Sequence, residues 1–348
     1  ARLAQEGPFL FPVAHDSLRG GVTCPEINEL FNKRSSTDYQ GELETDCKLI
    51  QKLIERTGLK TRRWANDGET AFGHLQHAVS AALLEAGVAS SKIDLLIYVG
   101  VSKGFVEPAN AYVVAKDLGL HAAECFDITD ACMSWTRALS LIDSLFQTGK
   151  YENAMVLNAE FNLTNNNYAN YRLTSRADFE YSLPTFTIGE AATATILTKS
   201  AEPFRFKFLS KPELADKCLI PTAAYKSFSG ASAAGNKRGV DCFTSYGKLL
   251  HDHLSVELPK VINHLDLTAV DVVFTHASSR TDWQKYCDDA GIGSKVYHIY
   301  QDTGNLVSAS IPTAMHSAIR DGRLHRGDRV LLWVGSAGMS FASVSFVY

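Results

Sequence analysis

The sequence predicts an α/β protein assembled from two copies of one unit. Helical and strand-like patterns alternate from about residue 70, and the same order returns at nearly the same lengths from about residue 246. The strand segments are short, continuous apolar runs, as expected where both faces of a sheet are covered. Two such units imply two mostly parallel-sheet halves related by a pseudo-two-fold axis, divided into 1–199 and 200–348. An ordinary doubly wound fold would show the same alternation.

In the first copy, Phe72, Leu75, Val79, Ala82 and Leu83 recur at helical spacing, and Gly87 marks the stop. A strand is expected at 93–100. Pro108 then sits where the first turn of a helix tolerates it, with Gly119 as that helix's end. Glu124–Ile128 reads as a strand. A long helix is expected from Cys132 to Gln147, burying Trp135, Leu139, Ile142, Leu145 and Phe146, and a strand at 154–159 follows. The second copy gives a helix at 246–264 with Pro259 as a kink, a strand at 270–275, a helix at 280–290 and a strand at 295–299. A helix at 305–320 and a strand at 329–334 complete it.

Composition restricts the class of partner. The chain has 348 residues, 34 basic and 38 acidic side chains and a formal net charge of -4. A nucleic-acid binder would show a basic excess, and Lys and Arg are scattered here. The longest apolar runs fall far short of the ~18 residues a membrane span needs. Ala1–Pro12 lacks a basic segment followed by a signal-length apolar stretch, and a start other than Met points to trimming. Seven cysteines without short regular spacing fit reduced thiols in a cytoplasm better than a disulfide framework, and the absence of any CxxC pair gives a metal site little support.

The repeat places three reactive side chains in register. Cys132, in Asp130-Ala131-Cys132-Met133-Ser134-Trp135, opens the third helix of the first copy; Asn305 opens the third helix of the second; His276 ends the strand before the middle helix of the second. All lie at carboxyl ends of strands, where open α/β sheets place ligands. A thiol at a helix N-terminus meets free N–H groups and the positive end of the dipole, which favours the thiolate. The plainer readings are a buried structural cysteine, a core histidine and an N-cap asparagine. Gly335-Ser336-Ala337-Gly338 could present a backbone N–H to an oxyanion or form a tight turn.

Asp-Ala-Cys at 130–132, the His276 segment, Gly304-Asn305 followed by Ser310-Ile311-Pro312, and the Gly338 loop together resemble the thiolase superfamily, and within it the 3-oxoacyl-ACP synthase III-like condensing enzymes. The match covers nearly the whole chain. The resemblance implies a five-layered αβαβα sandwich, normally a homodimer, with no permanently bound cofactor and with CoA or phosphopantetheine thioesters as substrates, delivered by CoA or by acyl carrier protein. It implies that Cys132 takes an acyl group from a thioester, with the N–H groups of Cys132 and Gly338 holding the oxyanion. His276 and Asn305 then stabilise the enolate of a second thioester.

Departures from the family pattern point further. The residue before Pro108 is Glu107, where the fatty-acid initiating enzymes carry an aromatic. This resembles the enzymes that join two acyl thioesters head to head and the bacterial pyrone-forming ketosynthases, in which a glutamate from one subunit is the base in the other's site. A donor with no carboxylate to expel must lose an α-proton, and that takes a base; a solvated capping carboxylate is the plain alternative. Glu160 is a rival base. Ser279 replaces an expected Asn, and Met133-Ser134 replace smaller residues. Arg62 and Arg63 resemble a basic entrance for a CoA phosphate or phosphopantetheine. The expected activity is condensation of two acyl or 3-oxoacyl thioesters without decarboxylation, in secondary-metabolite or lipid biosynthesis. The alternatives are acyl transfer to an alcohol or amine, decarboxylative synthase III activity, a non-catalytic subunit and a Cys-His-Asn peptidase.

Overall fold

The computed structural model describes residues 9–15, 21–66, 68–161, 168–199, 204–229 and 237–348, so part of the Ala1–Pro12 stretch lies outside the described residues. Two five-stranded sheets form the framework. Across the first, the strands run Phe9–His15, Ala191–Thr198, Asn153–Glu160, Leu95–Val99 and Glu124–Ile128; across the second, Val296–Tyr297, Val272–Thr275, Arg329–Ser336, Ser340–Val347 and Arg205–Ser210. In each, three neighbouring strands pair in parallel and the remaining two add antiparallel. Read from opposite ends, the two orders match strand for strand, which is the sequence repeat in structural form.

Side-chain parity shows how the sheets stack. Successive strand residues point to opposite faces. Leu95, Ile97 and Val99 join a central core shared with Val272, Phe274, Leu332 and Val334 of the second sheet. Leu96, Tyr98, Met155 and Leu157 face the other way, onto helices Ala71–Ala86 and Asn110–Leu118. Val273, Leu331 and Trp333 likewise face helices Gly247–Ile262 and Arg280–Asp289. The central core holds helices Ser134–Gln147 and Ser310–Arg320 between the sheets. The result is a five-layered αβαβα sandwich.

The middle helices are apolar where they must be. Trp135, Leu139 and Ile142, at three-to-four spacing, are at most 1% exposed, and each such burial contributes ~1.5–3 kcal/mol. Trp135 also has a polar end to satisfy, and Nε1 donates to Thr195 Oγ1 at 3.1 Å. Gly87 and Gly119 end their helices in the left-handed conformation, with φ of 64° and 70°, where a glycine avoids the Cβ clash.

Several boundaries differ from the sequence expectation. The Cys132 helix begins at Ser134, and the Asn305 helix begins only at Ser310, after a 3₁₀ turn at Val307–Ala309. Cys132 and Asn305 therefore stand on the turns that lead into the two middle-layer helices. Pro108 precedes its helix, which starts at Asn110. Pro259 lies within helix Gly247–Ile262. Among the described residues no helix is long and apolar enough to cross a membrane.

Candidate active site

Cys132 rides on a tight turn held from several sides. Ala131 has φ 46°, a left-handed conformation that costs a residue with a Cβ ~1–2 kcal/mol. The surroundings hold it there. Met133 N donates to Asp130 O at 2.9 Å, the Ser134 hydroxyl donates to Ala131 O at 2.7 Å, and Asp130 N donates to Ser134 Oγ at 2.8 Å. Arg137 Nε donates to Asp130 Oδ2 at 2.9 Å. From the other half of the chain, Ser336 Oγ accepts from Met133 N at 3.1 Å and donates to Asp130 O at 3.4 Å. Cys132 is partly accessible, with its sulfur below the surface in a cavity. Burial pushes its thiol pKa up, Cys218 and Glu160 add to that, and a hydrogen bond with Ser336 opposes it. Burial thus works against the thiolate that the helix end favours.

That cavity, of about 550 Å³, is lined by Cys132, His276, Asn305 and Ser336 together. His276 directly follows strand Val272–Thr275 and is 5% exposed. Burial first, and His251 second, hold its pKa down at about 3, so its ring is neutral and keeps one N–H donor. Asn305 is fixed at both ends. Its backbone N donates to Thr187 O at 2.8 Å and its carbonyl accepts from Gly189 N at 3.0 Å, while Oδ1 accepts from Val307 N at 2.9 Å. That leaves Nδ2 as the amide's free donor. Ala337 and Met339 also line the cavity, and Gly338 lies between them at φ 120°, a conformation that favours glycine.

Glu107, Arg62 and Arg63 lie outside this cavity. Glu107 is exposed on the loop before helix Asn110–Leu118, outside the lining of its own chain's cavity. Arg62 is a correction: it is 0% exposed, and its guanidinium donates to Val22 O and Thr23 O, both at 3.2 Å, and to Cys24 Sγ at 3.8 Å. Thr61–Arg62 pairs with Val22–Thr23 as a short antiparallel ribbon, and the strand alternation sends Arg62 inward. Arg63 is half-buried, gives its N–H to Thr303 O at 3.2 Å and does not line the cavity. The cavity reaches the surface where exposed Glu180, Lys248 and Asp252 line it. Ser279 caps the helix that follows His276, accepting from Asp282 N at 3.2 Å.

Sequence reasoning missed a second histidine in this cavity. His251, on helix Gly247–Ile262, lines it with Asp282; its Nδ1 is 3.5 Å from Asp282 Oδ2 and 3.2 Å from the Tyr286 hydroxyl. Cys218 lines it too, its thiol pushed up to about 11 by burial. The helical spacing of His251 with apolar Leu250 and Leu254 was the available signal, and it reads equally as an amphipathic surface. Among the described residues no group of three His, Cys, Asp or Glu side chains is placed to hold a metal ion.

Residues 126–211 match the family described as 3-oxoacyl-[acyl-carrier-protein (ACP)] synthase III, and residues 262–348 match its C-terminal counterpart, so the matched regions include both the Cys132 turn and the His276 and Asn305 segments. The chain is a 3-oxoacyl-ACP synthase III-like member of the thiolase superfamily. This ketosynthase III-like chain is 27% identical over 316 residues to beta-ketoacyl-[acyl-carrier-protein] synthase III of Baumannia cicadellinicola subsp. Homalodisca coagulata, covering 89% of this chain and 93% of that protein. It is 28% identical over 319 residues to the protein of the same name from Serratia proteamaculans, again covering 89% and 93%. The ketosynthase is thus a condensing acyltransferase by class. In fold it is similar to a variant of OleA from Xanthomonas campestris, with a TM-score of 0.81 at 21% identity over 100% of both chains. It is also similar to 3-oxoacyl-[acyl-carrier-protein] synthase III from Aquifex aeolicus, with a TM-score of 0.78 at 21% identity over 98% and 100% of the two chains.

Proposed function

We propose that this ketosynthase joins two acyl or 3-oxoacyl thioesters, carried by CoA or acyl carrier protein, by Claisen condensation through an acyl-Cys132 intermediate. The observation that carries the reading is the single cavity lined by a cysteine, a neutral histidine and an asparagine with a free amide donor. Cys132 sulfur attacks the first thioester carbonyl, the N–H groups of Cys132 and Gly338 hold the oxyanion, and the carrier thiol leaves with the proton of the cysteine. The second thioester then places its carbonyl against His276 N–H and Asn305 Nδ2. Loss of its α-proton gives an enolate, whose carbon attacks the acyl group and releases Cys132. Both donors are uncharged, and the Asn305 amide is already oriented by the Val307 N–H, so it serves developing negative charge without reorganising.

Glu107 is the proposed base, acting in the cavity of a second copy of the chain without decarboxylation of the donor. Its exposure, together with Phe105 at 50% and Val106 at 103% beside it, favours insertion of this loop into a partner. Glu124–Ile128 is an edge strand of its sheet, a row of backbone groups open to a second copy. OleA from Xanthomonas campestris with bound lauric acid and lauroyl-CoA has the same fold, with a TM-score of 0.80. The experiment is incubation with acyl-CoA followed by intact-protein and product mass spectrometry. One acyl adduct on Cys132 and a new β-keto product are expected; an adduct that persists in Cys132→Ala sinks the nucleophile.

A second reading is acyl transfer from Cys132 to a hydroxyl or amine, favoured by the His251 and Asp282 pair in the same cavity. An imidazole beside a carboxylate can take the proton of such an acceptor. An ester or amide product in place of a ketone would decide for it.

A further inference from the structure

Glu160 ends strand Asn153–Glu160 and is 3% exposed, yet it does not line the Cys132 cavity. Its two oxygens are taken up by donors. Val101 N–H reaches them at 3.2 and 3.3 Å, Ser102 N–H at 3.1 Å and Ser308 N–H at 3.4 Å, and the Ser308 hydroxyl donates as well. Asn158 Nδ2 also donates to Ser308 Oγ at 2.6 Å, so the hydroxyl is held between the Asn158 amide and the Glu160 carboxylate to which it donates. Gly100 lets the carboxyl come this close, since a Cβ there would lie 2.7 Å from Oε1. A group so saturated with donors is not a free base.

The Ser308 side of this network leads to the site. Val307 stands at φ 53°, a left-handed conformation that is strained for a β-branched residue. The adjoining Ser308 gives both its N–H and its hydroxyl to Glu160, and Ser310 Oγ donates to Val307 O at 2.9 Å. The N–H of Val307, aimed by that conformation, fixes Asn305 Oδ1 at 2.9 Å and so turns Nδ2 toward the cavity. We propose that Glu160 is a positioning residue that, through Ser308, holds the Val307 turn in the form that aims the Asn305 amide at the substrate carbonyl. The inference rests on Asn305 acting in the condensation half-reaction as proposed above.

The test uses the full chain with octanoyl-CoA as probe and follows Cys132 acylation and product formation separately. Glu160→Gln replaces an acceptor oxygen by a donor among donors, and Ser308→Ala removes the hydroxyl link while leaving the Ser308 N–H on Glu160. Each is expected to slow condensation ~10-fold or more while changing acylation less than ~3-fold, and Asn305→Ala added to either is expected to cost far less than it does alone. Fully additive losses, or equal loss in both half-reactions, overturn the proposal. Should Glu160→Gln fail to fold, Ser308→Ala carries the same comparison. Unimpaired condensation in Asn305→Ala alone overturns the role of Asn305 and the proposal with it, an outcome distinct from additivity.

Discussion

The Tyr286 hydroxyl donates to the carbonyl oxygen of His251 at 3.0 Å and lies 3.2 Å from Nδ1 of the same residue. With its one proton committed to the carbonyl, the hydroxyl can only accept from Nδ1, and Asp282 Oδ2 lies 3.5 Å away on the same side. His251 is therefore the Nδ1–H tautomer, with the lone pair on Nε2. Burial lowers its pKa, against the opposing pull of Asp282 and Asp252, so the ring is neutral at neutral pH. Nitrogen-15 NMR should show this tautomer, and Tyr286→Phe should increase the Nε2–H population; an unchanged ratio counts against the assignment.

Cys132 should behave as a reluctant thiol in the free protein. Its pKa is raised by burial, with Cys218 and Glu160 contributing, so the thiol stays protonated at neutral pH. Alkylation by iodoacetamide should be slow and should still be rising above the ~8.5 at which an ordinary cysteine is half ionised. A rate that levels off below that point, and that disappears in Cys132→Ser, would show that the helix end has prevailed over burial.

His276 links pH to stability. Its folded pKa of about 3 lies below the ~6.5 of an unfolded histidine, so above that value it makes no contribution to pH dependence. As pH falls from ~6.5 toward 3, the unfolded chain binds a proton that the folded one refuses, and stability drops. Urea unfolding across this range should show the decline, and His276→Asn should make it shallower, with His251, His298 and His316, likewise lowered by burial, supplying the rest. A decline of the same slope in the variant assigns the effect to other groups.

Glu107 should matter only where a proton must be removed. Glu107→Ala is expected to lower condensation of plain acyl thioesters by ~10²–10⁴-fold and to spare donors that lose carbon dioxide. Parallel product assays on the two donor types measure this directly. Loss on both alike points to a structural role for this loop.

Much of the fold was legible because apolar strands and periodic helices repeat in one order. The antiparallel strands Ala191–Thr198 and Ser340–Val347 were not, since they lie outside the helix–strand alternation that defined the repeat. Cys132 and His276 were readable as residues just beyond strand ends. Asn305 was placed at the wrong distance from its helix, because the Val307 turn depends on Glu160 and Ser308, contacts that no local pattern encodes. Arg62 was misread for a related reason: a basic pair looks solvated until a distant Val22–Thr23 segment is paired against it. His251 had no motif to announce it, since only packing turns that face of its helix toward the cysteine's cavity.

Lys248, at the cavity mouth, lies 2.8 Å from Asp252, with Glu180 lining the same opening. With its cation matched by one carboxylate and a second beside it, that opening exerts little long-range pull on a phosphate-bearing carrier. Encounter with such a donor should gain nothing from electrostatic steering, and added salt should not slow it.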